Sequence, residues 1–168
     1  MALKLLSESG CSRRVIEHCK TVTSLAVQIA EVSKKNGSDV DVQLVEAGAL
    51  LHDIGRSKTH AVDHGIVGAK IAESLGLPSP IVSIIERHVG GGIDIDEAKH
   101  LGWPIKSYLP ETLEEKIVCY ADKLIEGKRR VRIRRTINKL SKELGKTHRS
   151  LGRIEKLHEE LSSLTGDL

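Results

Sequence analysis

Apolar residues recur at every third or fourth position along nearly the whole chain, and a period of 3.6 residues leaves room for little but helices. Val15, Cys19, Val22, Ala26 and Ile29 form one such stripe, stopped by Asn36-Gly37. Ser38 or Asp39 is placed to cap a second helix, which turns almost wholly apolar from Ala47 to Leu51 and runs out near Gly55. A helix apolar on every side belongs at the centre of a bundle. Further helices are expected from about Asp63 to Leu75, from Ser79 or Pro80 to His88 with Gly90-Gly91-Gly92 as the stop, and from Asp94 to Leu101. Beyond a Trp103-Pro104 loop, Glu111 or Thr112 opens a helix running through Asp122 to about Glu126. Val131 and Ile133 then alternate with arginine in a strand-like or irregular segment. Ile137, Leu140, Leu144, Leu151, Ile154, Leu157, Leu161 and Leu164 mark one or two amphipathic C-terminal helices, free to pack on the core or on a second copy of the chain. The expected fold class is all-α, with the 168 residues in one domain.

The core of such a bundle must be aliphatic, because the chain has no Phe and its aromatics are Trp103, Tyr108 and Tyr120 alone. So few rings argue against a nucleic-acid reader that stacks bases. No apolar run approaches the roughly 20 residues that span a bilayer, and the N-terminus lacks the apolar stretch of a signal peptide. Cys11, Cys19 and Cys119 are an odd set with no paired spacing, which fits neither a disulfide framework nor a metal knuckle and suits a reducing cytoplasm. Charge is unevenly laid out: Lys128, Arg129, Arg130, Arg132, Arg134 and Arg135 are six cations within eight residues, and taking them away from the net +3 leaves −3.

Eight histidines outnumber the aromatics, and their positions are selective. His18 lies on the apolar stripe of the first long helix, and His52-Asp53 ends the buried central one. His64 shares a face with Val67 and Ile71, and His88 with Ile81, Ile84 and Ile85. Asp122 follows the apolar run Ile117-Val118-Cys119-Tyr120-Ala121. One such histidine is ordinarily a hydrogen-bonded core residue. Four, with two carboxylates whose isolated burial costs several kcal/mol, are better explained as one polar cluster of the mixed imidazole and carboxylate kind that divalent transition metals prefer. His52 and Asp53 can converge on one ion only where the helix unwinds, and Ile54-Gly55 supplies that end. His60, four residues before His64, would project the same way on a helix; it is open between supporting the cluster, contacting substrate and lying idle on the surface. His100, His148 and His158 fall on polar stretches and receive no role.

The order His18, then His52-Asp53, then Asp122 resembles the HD superfamily of metal-dependent phosphohydrolases, and Leu50-Leu51-His52-Asp53-Ile54-Gly55 looks like its HDIG variant. His64-Gly65-Ile66-Val67-Gly68-Ala69 and Glu86-Arg87-His88 are similar to the segments that supply extra ligands in two-metal members, and the chain as a whole is most similar to a small, stand-alone archaeal branch. The resemblance covers about residues 12–127 as an HD core, leaving 128–168 as the basic segment and C-terminal helices. It implies that His18, His52, Asp53 and Asp122 hold a first metal, and that His64 and His88 complete a second site with Asp53 bridging. One or two divalent ions are expected, with iron, manganese, cobalt or nickel suiting the ligands better than zinc. Many relatives carry Lys after the Gly; Arg56 stands here and offers a bidentate fork to phosphate.

The expected function is therefore a metal-dependent phosphohydrolase or phosphodiesterase acting on a small nucleotide-like or cyclic phosphate, with Asp53 orienting the attacking water or taking its proton. Arg56 and His60 are the candidate substrate contacts. Two other readings stand beside it: a non-catalytic module that binds metal and nucleotide, and a nucleic-acid-associated protein using the 128–135 cluster. No membrane partner is expected, and self-association would run through the C-terminal helices.

Overall fold

The computed structural model describes residues 2–166, and its architecture is an all-α bundle. A short α1 (Ala2–Glu8) leads to the long α2 (Arg13–Lys35), started by Ser12, whose side chain accepts from Val15 N. α3 (Val42–Leu51) lies across it, and its cap is Asp41 rather than Ser38 or Asp39. The difference has a local cause. Val40 is buried and residues 38–40 stay outside any helix, so the Asp41 carboxylate is the one that accepts from both Gln43 N and Leu44 N. α3 gives way to a 3₁₀ turn (Ile54–Ser57), followed by α4 (His64–Ser74), α5 (Ser79–Arg87) and α6 (Ile95–His100).

α7 (Leu113–Lys123) opens with a capping box between Thr112 and Glu115. It stops at Lys123, earlier than the apolar pattern suggests. Ile125–Glu126 (β1) leave the helix to pair antiparallel with Arg129–Arg130 (β2), around Gly127 at φ +61°. The strand-like reading of the basic segment holds only for this hairpin. From Ile133 the chain is helical again, as α8 (Ile133–Leu144), so Arg134 and Arg135 stand on a helix. α9 (Arg149–Thr165) is the last helix among the described residues.

The main core gathers Val22, Ala26 and Ile29 of α2, Val45 and Ala49 of α3 and Ile117, Val118 and Ala121 of α7. Ile154, Leu157 and Leu161 of α9 join the same cluster, with Leu164 partly buried against it. The leucine face of the last helix is therefore taken up by this chain's own core. A second cluster packs Leu6 against Val15, Leu51, Ile54 and Ile85, which explains why α1 forms although its seven residues carry too little pattern to announce it. No helix among the described residues is long and apolar enough to cross a membrane.

Candidate metal centre

Six side chains from separate parts of the sequence meet where α2, α3, α4, α5 and α7 converge. His52 caps α3 in helical geometry, and Asp53 leaves it at φ −99°, ψ 17°. That break turns the carboxylate back beside its neighbour, with Oδ2 3.8 Å from His52 Nε2. The same oxygen is 3.9 Å from His18 Nε2, while Oδ1 is 3.4 Å from Nε2 of both His64 and His88. Asp122 closes the other side, with Oδ1 3.0 Å from His18 Nε2 and 3.5 Å from His52 Nε2. His18, His52, His64, His88, Asp53 and Asp122, the six ligands expected from the sequence, thus stand as one cluster around Asp53.

Each imidazole is oriented by its far nitrogen. Nδ1 of His52 bonds Ala49 O at 2.7 Å, that of His64 bonds Ala61 O at 2.7 Å, and that of His88 bonds Ile85 O at 2.6 Å. His18 Nδ1 reaches Gly127 O in the hairpin at 3.0 Å. A carbonyl only accepts, so Nδ1 carries the hydrogen in all four rings, and the tautomer follows from these bonds. In the neutral rings this leaves Nε2 as a lone pair aimed at the cluster, the orientation in which metal-binding histidines are held. His64 and His88 face one another Nε2 to Nε2 at 3.1 Å, which is repulsive for two lone pairs unless a proton or cation lies between them.

Whether a divalent cation fits can be judged from the polar atoms left over. Nε2 of His52 and Oδ1 of Asp53 are buried without a hydrogen-bond partner among the described residues. Such orphans are costly, and both point to the middle of the cluster. His18, His52 and Asp122 each bring a ligand atom within 4.8 Å of the others, as do His52, Asp53 and His88. The donor set of imidazole nitrogen and carboxylate oxygen suits a divalent transition ion. The residues fit.

The electrostatics agree in direction for His64 and His88. Burial and the neighbouring His88 push the His64 imidazole down to about 3, and burial also lowers His88, so both rings stay neutral and able to ligate. Burial opposes the charge on His52, but the Asp53 carboxylate outweighs it and raises that ring. Burial likewise works against ionised Asp53 and Asp122, but the charge on His52 holds Asp53 low and the Lys123 ammonium holds Asp122 low.

Arg56 follows in the 3₁₀ turn. Its Nε donates to Asp53 Oδ2 at 2.7 Å, and its Nη2 lies 3.3 Å from His64 Nε2, so its first partner is the central carboxylate. Its guanidinium, 29% exposed, borders a groove of about 760 Å³ that opens over the cluster between Arg14 and His60 on one side and Thr136, Lys139 and Leu140 of α8 on the other. His60 does not project with His64 from a helix. The chain is irregular at Thr59 and His60, because Thr59 Oγ1 donates to Asp63 Oδ1 and accepts from Ala61 N, and α4 begins only at His64. His60 still lines the groove, as an exposed side chain.

Several supporting residues escaped the sequence reading. Arg87 donates to Glu115 at 3.1 Å and pairs with Glu111 at 2.9 Å, tying the end of α5, and with it His88, to the start of α7. The Thr112-x-x-Glu115 spacing was the available signal. Lys123 holds Asp122 Oδ2 at 2.6 Å, and Cys119 donates its thiol to His88 O at 3.4 Å. His148 accepts from Ser150 N to start α9, and His158 Nδ1 shares a hydrogen bond with the Tyr120 hydroxyl at 2.6 Å, so neither is an idle surface residue. The glycines after His88 are a stop: a Cβ at Gly91 would crowd Ile154, and one at Gly92 would crowd Pro110 and Leu109.

The family model that matches is the HD domain, over residues 15–127, which includes all six clustered residues. This chain belongs to the HD domain family. It is 51% identical over 163 residues to an uncharacterized protein of Methanocaldococcus jannaschii, covering 97% of this chain and 96% of that one. It is also 43% identical over 164 residues to a tRNA (cytidine(56)-2'-O)-methyltransferase of Picrophilus torridus, but that match spans 98% of this chain and only 46% of the longer protein. Ribonuclease Y of Acidothermus cellulolyticus is 35% identical over 88 residues, 51% of this chain and 17% of that protein. Among solved structures, the HD domain of the L. monocytogenes phosphodiesterase PgpH in complex with cyclic-di-AMP superimposes with a TM-score of 0.60 at 17% identity, covering 99% of this chain and 98% of that one. That likeness concerns the fold.

Proposed function

We propose that the chain is a metal-dependent phosphohydrolase that cleaves a phosphate ester. The observation that carries this reading is the tautomer pattern: three buried imidazoles and the half-buried His18, locked by backbone carbonyls, turn Nε2 toward Asp53 and Asp122, and His52 Nε2 and Asp53 Oδ1 are left there without a partner among the described residues. His18, His52, Asp53 and Asp122 would hold one divalent ion, and His64 and His88 would hold a second that shares Asp53. A bound divalent ion supplies Lewis-acid polarisation of phosphoryl oxygens and of water.

The chain's own groups complete the chemistry. Water adds to phosphorus as the ester P–O bond breaks; Asp53, set between the two histidine pairs, orients that water or takes its proton, and the departing oxygen leaves with a proton from solvent. Arg56 keeps Asp53 in place through Nε while its remaining N–H groups, at the edge of the groove, can fork onto non-bridging phosphate oxygens. His60 sits within reach of the same groove as a further contact. The names of the Ribonuclease Y relatives and of the PgpH phosphodiesterase describe phosphodiester cleavage, which supports an ester of phosphate as the bond attacked. Methyl transfer is the named activity of chains of which this one spans 46%.

Anaerobically purified protein, loaded with manganese or iron, should release product from members of a panel of nucleotides, cyclic nucleotides and aryl phosphodiesters. Asp53→Ala should remove that turnover and most of the bound metal. Protein that binds metal stoichiometrically yet turns over nothing in the panel would overturn the reading.

A further inference from the structure

The concentrated positive charge has no part in the hexad, and the fold gathers it along one element. Ile133, Ile137 and Leu140 turn α8 toward the core. Its other side carries Arg134, Arg135, Lys139 and Lys142, all exposed. Glu126 takes up Arg135 at 3.0 Å, whereas Arg132, Arg134, Lys139 and Lys142 make no ion pair among the described residues.

Three concavities follow one another along this face. The far one, about 690 Å³, is bordered by Tyr120, His158, Arg130, Arg132 and Arg134. Arg132 and Arg134 also border the next, about 610 Å³, which continues past Arg135 and Lys142 to Lys139. Lys139 and Glu143 then border the groove over the hexad, where Arg14 adds charge and Arg56 and Lys123 stand paired with Asp53 and Asp122. The band is thus continuous from the far end of α8 to the proposed reaction centre. Its length is that of the 12-residue helix, about 18 Å, which a strand of several nucleotides covers and a mononucleotide does not. Its α8 part lies beyond residue 127, outside the part of the chain that the family model matches.

We propose that this face of α8 binds the phosphate backbone of a single-stranded polynucleotide and leads one of its phosphodiesters into the groove. A single strand is required because the hexad is recessed, with His52 0% and His88 1% exposed; a flexible strand can enter, and a stiff duplex cannot bend into it. Tyr120 is 7% exposed and offers little ring face to a base, so recognition is through phosphate charge and carries weak sequence preference. The delivery step rests on the phosphohydrolase reading; binding along α8 does not.

The test is fluorescence anisotropy of a labelled 12-nucleotide oligoribonucleotide of mixed sequence with the full chain, titrated without added divalent metal from low to moderate salt. We expect a log–log salt slope of about −2, corresponding to about three neutralised phosphates. Replacing Arg132, Arg134 and Lys139 by Gln together should weaken binding at least about tenfold and flatten the slope. Replacing the exposed Lys35, Lys70 and Lys99, which removes the same charge elsewhere, should change little, with circular dichroism confirming both variants folded. No binding at low salt, equal losses in the two triple variants, or equally good competition by a mononucleotide or by polyglutamate would overturn the proposal. Binding without turnover of any phosphate ester leaves the α8 track standing and fails only the reading of the hexad; turnover of mononucleotides without oligonucleotide binding does the reverse.

Discussion

His52 and Asp53 are sequence neighbours that a continuous helix would point about 100° apart, and their convergence depends on the helix ending between them. Asp53 at φ −99°, ψ 17° is that ending, and it makes one carboxylate reach four imidazoles. The supporting bonds are equally local. Cys119 spends its thiol hydrogen on the His88 carbonyl, and burial pushes that thiol up to about 11; burial raises Cys11 to about 11 as well. A raised thiol pKa means a scarcity of thiolate at ordinary pH. Cys11 and Cys119 should therefore resist iodoacetamide at pH 8 in the folded protein and react rapidly once it is unfolded, as peptide mapping by mass spectrometry would show. Rapid modification of Cys119 in the native state would mean that the α7 face behind His88 is not packed as described.

The 3₁₀ turn and α4 are held together by an absence of side chain. A Cβ on Gly55 would sit inside the contact radius of the His64 carbonyl oxygen and 2.6 Å from Gly68 N, while Gly68 in turn lies against Ile85. The close approach is what brings His64 beside Asp53. Gly55→Ala should destabilise the protein by about 3 kcal/mol, at the upper end of the cost of overpacking a close contact, measured as a lower urea midpoint at unchanged m. It should also weaken metal retention more than a Gly152→Ala control, whose Cβ would meet nothing within 4 Å on an ordinary helical backbone. The glycine is visible in the sequence and its neighbour is not: residues 55, 64 and 68 give no sign that they touch. The same holds for the basic segment, where six cations in eight residues are obvious but their division between a hairpin and α8 follows from Gly127 turning the chain back so that β1 can pair with β2.

For the molecule as a whole, the matched family region ends at residue 127, yet the hydrophobic core does not. Ile154 and Leu161 are 0% exposed and Leu157 is 5% exposed, packed with Val22, Ala26 and Ile117 from α2 and α7. Burying such side chains stabilises by roughly 1.5–3 kcal/mol each, so losing three of them removes an amount comparable to the whole net stability of a domain. A chain truncated after residue 127 should be expressed unfolded or aggregated, read by the loss of a cooperative thermal transition. A folded truncation would show that α9 is an accessory and not part of the core.

Helical class, the aliphatic core and the six clustered residues could be read from the sequence, because a 3.6 period and buried polar residues leave marks that need no partner to be recognised. The order His18, His52-Asp53, Asp122 carried the family with it. What the sequence could not convey were the contacts between distant segments: Nδ1 of His18 meeting the hairpin at Gly127, Arg87 meeting Glu115 across α5 and α7, and α9 completing the core. Those are decided by tertiary structure, since a carbonyl, a capping carboxylate or a leucine stripe is compatible with many partners until packing of the whole chain leaves one.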